Sequence, residues 1–453
     1  MLFAPGCIPE DPQPMSESPT ETATSTANVQ LFATDTLINP YEAYATLRDE
    51  APVYFVPELN VHVITRYDLL RQATMDTSTY SSKFDSFLQE SQRLAFDSAS
   101  AEVKAELMRL AAEMIEVPPT MLTLDEPEHT AYRSLVNQLF TAAQIRSAQP
   151  AVESVIAAAI NAFDQHGHPG SGGETNQIDF VQAFATAVPL EIIADRLGVP
   201  PADREFFEDA ATAAASALRL TPLPGEEMVR RAQLALDLQK LCVRLVEERR
   251  ATPRDDMISI LANSELGDEK RPLTHGECIS VLNQFLVAGH ETTASAFAWG
   301  MLLLCERPEL QTELRDSPAL VKTFVEETLR MEAPVQGLPR LVTKDTELGG
   351  VELKAGSMVM LRYGAANRDE RQFENPDAVD LHRKRAGAQL AFGSGVHFCI
   401  GAPLARQELN LGFPALLRHG KNFRLNKAMP APEAEASFVL RNLPHLHIEY
   451  DRI

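Results

Sequence analysis

Residues 392–401 read FGSGVHFCIG, in which three glycines surround one cysteine, Cys399. The residues that follow, 402–409, have the pattern of a helix start. Backbone N–H groups and the positive end of a helix favour the thiolate form of a nearby cysteine. Such a thiolate is a nucleophile, for which His397 is the local candidate base, or a metal ligand. As a metal site the loop offers one sulfur, so the remaining ligands must come from elsewhere, as from a macrocycle with four nitrogens.

A second stretch predicts a long helix with a polar interruption. Thr274 and Glu277 have the spacing of a capping box ahead of an apolar run that Arg307-Pro308 ends. The predicted helix, residues 275–305, would be about 46 Å long at 1.5 Å per residue. Its middle, residues 288–293, reads AGHETT, which combines small residues with a carboxylate and two hydroxyls. This pattern indicates a groove where a small polar ligand meets a proton relay, and a solvated patch is the alternative.

The helix before Pro334 carries a charged pair on its apolar side. At about 100° per residue, Glu327 shares a face with Phe324 and Met331. A carboxylate on such a face needs a partner, which Arg330 supplies from three residues further on while it reaches for a second acceptor. An ordinary surface ion pair is the alternative.

Composition limits the class of protein and its partners. The chain has 453 residues, 45% of them hydrophobic, and a net charge of −22, as in globular proteins that bind neither nucleic acid nor anionic membranes. Its five cysteines form no CxxC pair, so we expect a reducing cytoplasm rather than a disulfide framework. The apolar stretch 281–305 contains His290 and Glu291, so we expect no membrane span.

The arrangement of the predicted elements indicates the fold class. Helical spacing dominates residues 67–262, and no low-complexity linker divides residues 31–453. Strand-like runs are found at 53–55, 62–65, 346–353, 358–362, 438–440 and 446–450. We therefore expect a flexible tail at residues 1–30 and, at 31–453, a single large domain that is mainly α with small peripheral β-sheets.

Together these segments resemble the cytochrome P-450 superfamily, the haem-thiolate monooxygenases. Residues 392–401 match the haem-binding signature at every defining position, residues 327–330 match the ExxR motif, and residues 288–292 match the oxygen-activation motif. Matches at 125–133 and 366–369 extend the resemblance over roughly residues 35–450. It implies the cytochrome P-450 fold and a soluble enzyme of the bacterial type.

The resemblance also implies a haem b with Cys399 as the axial ligand of its iron. Thr292 and Glu291 would be catalytic, stabilising bound oxygen and delivering protons. The propionates would be bound by His129, Arg133, Arg340 and His397. Further cofactor contacts would come from Ala288, Gly289, Phe392, Gly393 and Gly401, and the first two would leave room for dioxygen. Glu327, Arg330 and Arg383 would form a structural network behind the cysteine loop.

One position departs from the pattern of the family. Gln389 stands where a histidine is often found, three residues before the Phe-Gly of the loop. One contact on the propionate side is therefore expected to differ.

The family's pocket segments locate a candidate substrate site. Its predicted residues are Phe285, Ala288, Val335, Gln336, Val439 and Leu440. Because these are largely apolar, we expect a terpenoid, a steroid or another hydrocarbon-like substrate. The long connection 81–120 is a candidate lid over the haem.

Local charge indicates the electron donor. Residues 381–421 hold six basic residues and one acidic residue, against the −22 of the whole chain. A positive face near Cys399 would attract an acidic [2Fe–2S] ferredoxin, itself reduced by an NAD(P)H reductase. With O2 as co-substrate, we expect a monomeric monooxygenase. A peroxide-driven peroxygenase or isomerase of the same fold, and a haem-based sensor or carrier, are the alternatives.

Overall fold

A computed structural model describes residues 29–57, 59–85, 93, 95–119, 121–166, 168–169, 175–216, 223–267 and 270–453. Its α-helices are α1 (Thr34–Ile38), α2 (Tyr41–Glu50), α3 (Tyr67–Met75), α4 (Ala101–Glu113), α5 (Glu128–Asn137), α6 (Ala142–His166), α7 (Ala187–Leu197), α8 (Arg204–Ser216), α9 (Gly225–Ala251), α10 (Met257–Asn263), α11 (His275–Glu306), α12 (Pro308–Asp316), α13 (Val321–Met331), α14 (Tyr363–Ala366) and α15 (Ala402–His419). None of these helices has both the length and the apolar character needed to cross a membrane.

The strands form two small sheets and two hairpins beside the helices. They are β1 (Val53–Val56), β2 (Val61–Ile64), β3 (Tyr80–Ser81), β4 (His168–Pro169), β5 (Thr175–Asp179), β6 (Glu265–Leu266), β7 (Arg271–Pro272), β8 (Gly337–Val342), β9 (Thr346–Leu348), β10 (Val351–Leu353), β11 (Met358–Arg362), β12 (Gly420–Leu425) and β13 (His447–Arg452). The sheets have the strand orders β1-β2-β11-β8-β3 and β12-β13-β5-β4, and the hairpins are β9-β10 and β6-β7. This architecture confirms the predicted class, mainly α with peripheral β.

Some element predictions were wrong. The run 438–440 is no strand and contributes one bridge, between Leu440 and Val335. Strand β8 was missed because Pro339 interrupts its alternating pattern, and β12 was missed because its sequence, GKNFRL, is largely polar. The predicted tail falls almost wholly outside the described residues, and Leu31 is already buried.

Helix α11 crosses the molecule and separates two apolar cores. Its first half, with Cys278 and Leu286, packs against α7, α9 and α10. Its second half, with Phe297 and Met301, packs against α13 and α15. Residues 288–292, which include Glu291 and Thr292, lie between the parts of α11 that enter these two cores.

Two glycines allow α11 and α15 to approach closely. A Cβ on Gly300 would meet the Phe413 ring, and a Cβ on Gly412 would meet the Phe297 ring. Since α15 begins directly after the cysteine loop, this crossing fixes the loop relative to the central helix.

The N-terminus of α11 is held by Glu277. Thr274 forms the predicted capping box with it. The Glu277 carboxylate also accepts hydrogen bonds from Arg271 Nη2 at 2.6 Å and from the Tyr132 hydroxyl at 2.7 Å. These bonds, Arg271 foremost, lower the pKa of buried Glu277 to about 2. The carboxylate thus joins α11 to β7 and α5.

We expect Glu277→Gln to lower the free energy of unfolding by about 2 kcal/mol at pH 7, because hydrogen bonds to a buried charge are lost. The depressed pKa of Glu277 means that its contribution is complete above about pH 4.5 and disappears as the pH falls toward 2. Urea denaturation at pH values from 7 down to about 3 measures this difference. The control is Glu106→Gln, which removes an exposed pair with Arg109. Equal losses in both variants, or a difference that grows at low pH, would contradict the assignment.

Candidate functional site

The cysteine loop has a defined backbone conformation. Gly393 and Gly395 adopt left-handed φ angles of 67° and 72°, and a Cβ on Gly395 would clash with the Thr74 carbonyl. The Cys399 N–H donates to the Phe392 carbonyl at 2.9 Å. The glycines therefore let the chain fold back tightly beneath α3 and present Cys399 just before α15.

The surroundings of Cys399 act on its thiol in opposite directions. Backbone N–H groups of Gly401 and Ala402, with Arg133 and Arg406, lower the pKa of Cys399, as the sequence predicted. Burial among protein atoms is the larger effect and raises this pKa on balance, although the side chain keeps an exposed face. The predicted effect of the loop's N–H groups on the pKa of Cys399 is therefore present, but it is smaller than the effect of burial. A coordinated metal deprotonates a thiol, so metal binding can supply what the loop does not.

Four basic side chains predicted to bind carboxylates lie together. The rings of His129 and His397 are 4.2 Å apart between centroids. Burial, followed by the charges of Arg340, His129 and Arg133, lowers the pKa of His397 to about 3. His129 Nδ1 is buried and has no hydrogen-bond partner within the described residues. A cluster of this kind fits a group that brings two carboxylates, as haem does through its propionates.

The open side of α11, which is the face with Ala288 and Thr292, carries the polar interruption. The Thr292 hydroxyl donates to the Ala288 carbonyl at 2.9 Å, and Ala288 is exposed. Asn442 Nδ2 donates to Glu291 Oε1 at 2.7 Å. The Arg441 carbonyl, next along the chain, accepts from Ser295 Oγ and from Trp299 Nε1. The C-terminal segment is thus bound along the same helix.

Sequence reasoning missed Asn442. It follows the apolar residues around Val439 and Leu440 and has no motif of its own. Its role becomes visible only when the C-terminal segment lies beside α11.

Gly289 has a role in helix packing that was not predicted. A Cβ there would meet the Ile193 side chain of α7. Gly289 therefore allows two helices to pack closely, and a side chain at this position would point toward α7. Its neighbour Ala288 does face the open side.

Two predicted pocket residues belong to packed parts of the protein. Phe285 is buried and its ring stacks on that of Phe140, with centroids 5.4 Å apart. Gln336 is 1% exposed, and its Nε2 donates to the Ala333 carbonyl at 2.8 Å while its side chain packs against Gly364. Neither contributes open surface.

The two predicted pocket segments, at 335–338 and around Val439 and Leu440, lie beside each other. Val335 bridges Leu440, and the Gln336 N–H donates to the Val439 carbonyl at 2.7 Å. Leu440 is buried, whereas Val335 and Val439 remain partly exposed. The predicted lid falls partly outside the described residues, which omit 86–92, 94 and 120. Helix α4, which lies within the predicted lid, packs against α9.

Gln389 takes part in a cluster that was not predicted. Its Nε2 donates to Glu326 Oε2 at 3.1 Å, and Arg406 forms a two-pronged pair with the same carboxylate at 2.6 and 3.0 Å. The Arg406 guanidinium lies 4.4 Å from the centroid of the Phe392 ring. Gln389 is thus directed at Glu326, and this cluster braces the start of the cysteine loop.

The Glu327 network is fully buried, so the surface-pair alternative is excluded. Glu327 and Arg330 are each 0% exposed and are joined by bonds of 2.7 and 3.0 Å. Arg383 Nε lies 2.9 Å from Glu327 Oε1. Arg330 also donates to the carbonyls of Asn367 and Ala378. The predicted structural trio is brought together in one place.

This network reaches the cysteine loop through Asn367. The Asn367 side-chain oxygen accepts the Leu390 N–H at 2.6 Å. The Leu390 carbonyl in turn accepts the Gly393 N–H at 2.8 Å. A continuous set of hydrogen bonds therefore connects α13 to the loop that presents Cys399.

Comparison with known proteins gave consistent matches. The family model described as Cytochrome P450 matches residues 118–317 and 318–448. The chain is 37% identical to Nocardicin C N-oxygenase from Nocardia uniformis subsp. tsuyamanensis, over 73% of this chain and 79% of the relative. It is 33% identical to Vitamin D(3) 25-hydroxylase from Pseudonocardia autotrophica, over 85% and 88%. A crystal structure of CYP109E1 from Bacillus megaterium in complex with corticosterone superposes with a TM-score of 0.75 at 27% identity, covering 91% of this chain and 99% of that one.

We expect Glu327→Gln to lower the free energy of unfolding by about 3–5 kcal/mol, because two guanidinium groups would be left buried without a counter-charge. The loss is measured by urea denaturation followed by circular dichroism. Glu326→Gln, at the next position of α13, is the matched control and should lose about 1 kcal/mol or less, since its pair with Arg406 is partly exposed. Losses of the same size in both variants would show that burial of the network is not what matters.

Proposed function

Since the chain belongs to the cytochrome P450 family, we propose that it hydroxylates a hydrophobic small molecule with O2, using electrons from a separate ferredoxin. The family makes it a haem-dependent monooxygenase, an oxidoreductase whose cofactor is haem b. The observation that carries the proposal is the acid–alcohol pair of Glu291 and Thr292 on α11, between the two apolar cores. An enzyme that delivers protons to bound oxygen needs such a pair.

The basic cluster and Cys399 are proposed to hold the haem. Cys399 Sγ would bind the iron, and His129, Arg133, Arg340 and His397 would bind the propionates. When bound, the haem supplies dioxygen binding and O–O cleavage, which a thiolate ligand favours. The remaining contacts would come from Ala288, Phe392, Gly393 and Gly401.

Thr292 and Glu291 are proposed to handle protons. The Thr292 hydroxyl is oriented by its bond to the Ala288 carbonyl, which leaves the oxygen lone pairs directed to the open side. Glu291 is positioned by Asn442 and would pass protons from solvent toward Thr292 Oγ1. A peroxygenase, an isomerase or an oxygen carrier has no use for such a relay, so the pair favours a monooxygenase.

The substrate is proposed to be a steroid-like or terpenoid molecule. Val335 and Val439, from the predicted pocket, are apolar and partly exposed, and the C-terminal segment that contains Val439 is bonded to α11 through Asn442 and Glu291. Apolar walls with few polar groups suit a substrate of low polarity. A relative named as a vitamin D(3) hydroxylase and a solved neighbour bound to corticosterone support this choice.

The ferredoxin is proposed to dock beside the cysteine loop. Of the six basic residues at 381–421, Arg383 and Arg406 are paired with Glu327 and Glu326. Lys384 and Arg385 are exposed on the segment that leads into the loop. The last two, Arg418 in the last turn of α15 and Lys421 just after it, are exposed at the end of the helix that lies about 24 Å along its axis from the loop. The surface near Cys399 therefore carries fewer unpaired basic residues than the six counted in the sequence.

Residues 31–453 are proposed to form one catalytic domain, a cytoplasmic monomer preceded by a tail. The continuous packing of α11 against helices from both halves of the chain supports a single domain. Cys242, Cys278, Cys305 and Cys399 are all free thiols, which suits a reducing compartment.

We expect Thr292→Ala to uncouple electron use from hydroxylation, because protons would no longer be directed to bound oxygen. A compound that shifts the Soret band from low to high spin, found in a screen of hydrophobic molecules, serves as the substrate. The measurement is the ratio of product to NAD(P)H consumed, with hydrogen peroxide assayed in parallel. Thr293→Ala, at the adjacent buried position, is the control and should remain coupled. Both variants should keep the red-shifted carbon-monoxide band of a haem thiolate. Unchanged coupling in Thr292→Ala would exclude the proposed role.

We expect Lys384→Glu to reduce kcat/KM for a bacterial [2Fe–2S] ferredoxin by about threefold or more at low ionic strength, because the attraction of an acidic donor is weakened. The effect should diminish as salt is added. Arg418→Glu makes the same charge change at the far end of α15 and should leave kcat/KM nearly unaltered. If the two variants behave alike, net charge rather than a docking face determines the rate.

A further inference from the structure

A cluster of metal-binding side chains lies on the sheet formed by β12, β13, β5 and β4. His447, at the start of β13, is paired directly across from Asp179, at the end of β5. His445 precedes His447 by two residues, and the two imidazole rings are parallel, 6° apart in orientation with centroids 5.8 Å apart. These residues take no part in the site around Cys399.

The carboxylate of Asp179 is held in a fixed orientation. Its Oδ1 accepts the N–H groups of Leu446 at 3.0 Å and Val181 at 3.2 Å. Its Oδ2 is therefore directed outward, and His445 Nδ1 lies 2.7 Å from it. Backbone groups position the oxygen before any ion arrives, which reduces the entropy lost on binding.

We propose that Asp179, His445 and His447 bind one divalent transition-metal ion of the zinc type. Their ligand atoms, one from each residue, all lie within 4.8 Å of one another. Two imidazoles and one carboxylate are a set that Zn²⁺ accepts, with bonds of about 2.0–2.2 Å and water in the remaining position. His445 is exposed and His447 is partly exposed, so both imidazoles have room to rotate. Small rotations would bring the three ligand atoms within bonding distance of one ion.

The ion would join two parts of the chain that are far apart in sequence. Strand β5 leads directly into Phe180, which is fully buried in the core with Phe163 and Phe184. Strand β13 is the last strand of the described chain. A metal bridge between β5 and β13 would stabilise this edge of the fold rather than take part in the oxidation.

A plain ion pair between His445 and Asp179 is the competing explanation, and it has a matched counterpart. His382 Nε2 lies 2.9 Å from Glu313 Oε1 on another surface, where the described residues supply no third ligand. If pairing alone were the purpose of both, the two sites would respond to metal in the same way. If binding requires a third ligand, zinc binds only at the site that contains His447.

The test uses untagged holoenzyme titrated with ZnCl2 by isothermal calorimetry after treatment with a chelator. We expect one ion per chain, and binding at least about tenfold weaker in His447→Ala, equivalent to about 1.4 kcal/mol. His445→Ala should behave in the same way, and His382→Ala should bind like the wild type. Zinc should also raise the Tm of the wild type but not that of His447→Ala.

Two outcomes would overturn the site. One is the absence of stoichiometric binding in the wild type. The other is equal affinity in the wild type and in both His445→Ala and His447→Ala. If His447→Ala alone proves unstable, Asp179→Asn provides a second variant, since its amide oxygen can still accept the two backbone N–H groups while Oδ2 is lost as a ligand. Full affinity in that variant would likewise contradict the assignment.

Discussion

The carboxylate of Glu327 is the charge on which the rest of this structure depends. It is completely buried and balances two guanidinium groups, those of Arg330 and Arg383. Because Arg330 also binds the carbonyls of the segment that precedes the cysteine loop, neutralising this one arginine fixes the path of a long connection that has little regular structure. Burying an ion pair rarely adds stability compared with apolar residues of the same size. The pair here is better understood as a device that gives an irregular segment one conformation, from which Cys399 is presented.

The central helix α11 packs closely against its neighbours on one face and carries polar residues on another. Toward α7, Gly289 removes bulk so that the helices touch, and toward α15, Gly300 does the same for Phe413. At about 100° per residue these two glycines lie within about 20° of each other around the helix, whereas Ala288 and Thr292 lie about 60–100° from Gly289. Close packing along one face holds the helix in place, which the Thr292 hydroxyl on the neighbouring face needs if it is to meet a bound molecule at a fixed position.

The sequence was most informative where local chemistry is unusual. The loop around Cys399, the buried position of Glu327 and the capping box at Thr274 followed from short patterns whose physical meaning does not depend on the remainder of the chain. The outcome was poorer where a residue's role depends on its neighbours in space. Gly289 and Gln336 are examples, since only the packing of Ile193 and Gly364 shows what they contact. The role of Asn442 could not have been predicted, because no pattern in the neighbouring sequence indicates that it binds Glu291. Strand β8 was not predicted because it contains Pro339, and proline normally argues against a strand inside a sheet.

The bond from Asn442 to Glu291 also bears on how the protein is made. The acid that would deliver protons is oriented by a residue close to the carboxyl end of the chain, more than a hundred positions later. During synthesis, α11 can emerge and begin to pack before the bond from Asn442 to its acid has formed. The proposed relay would therefore be completed only after the segment around Asn442 has been synthesised and has packed beside α11, so a chain that stops before this segment would carry the motif without that bond.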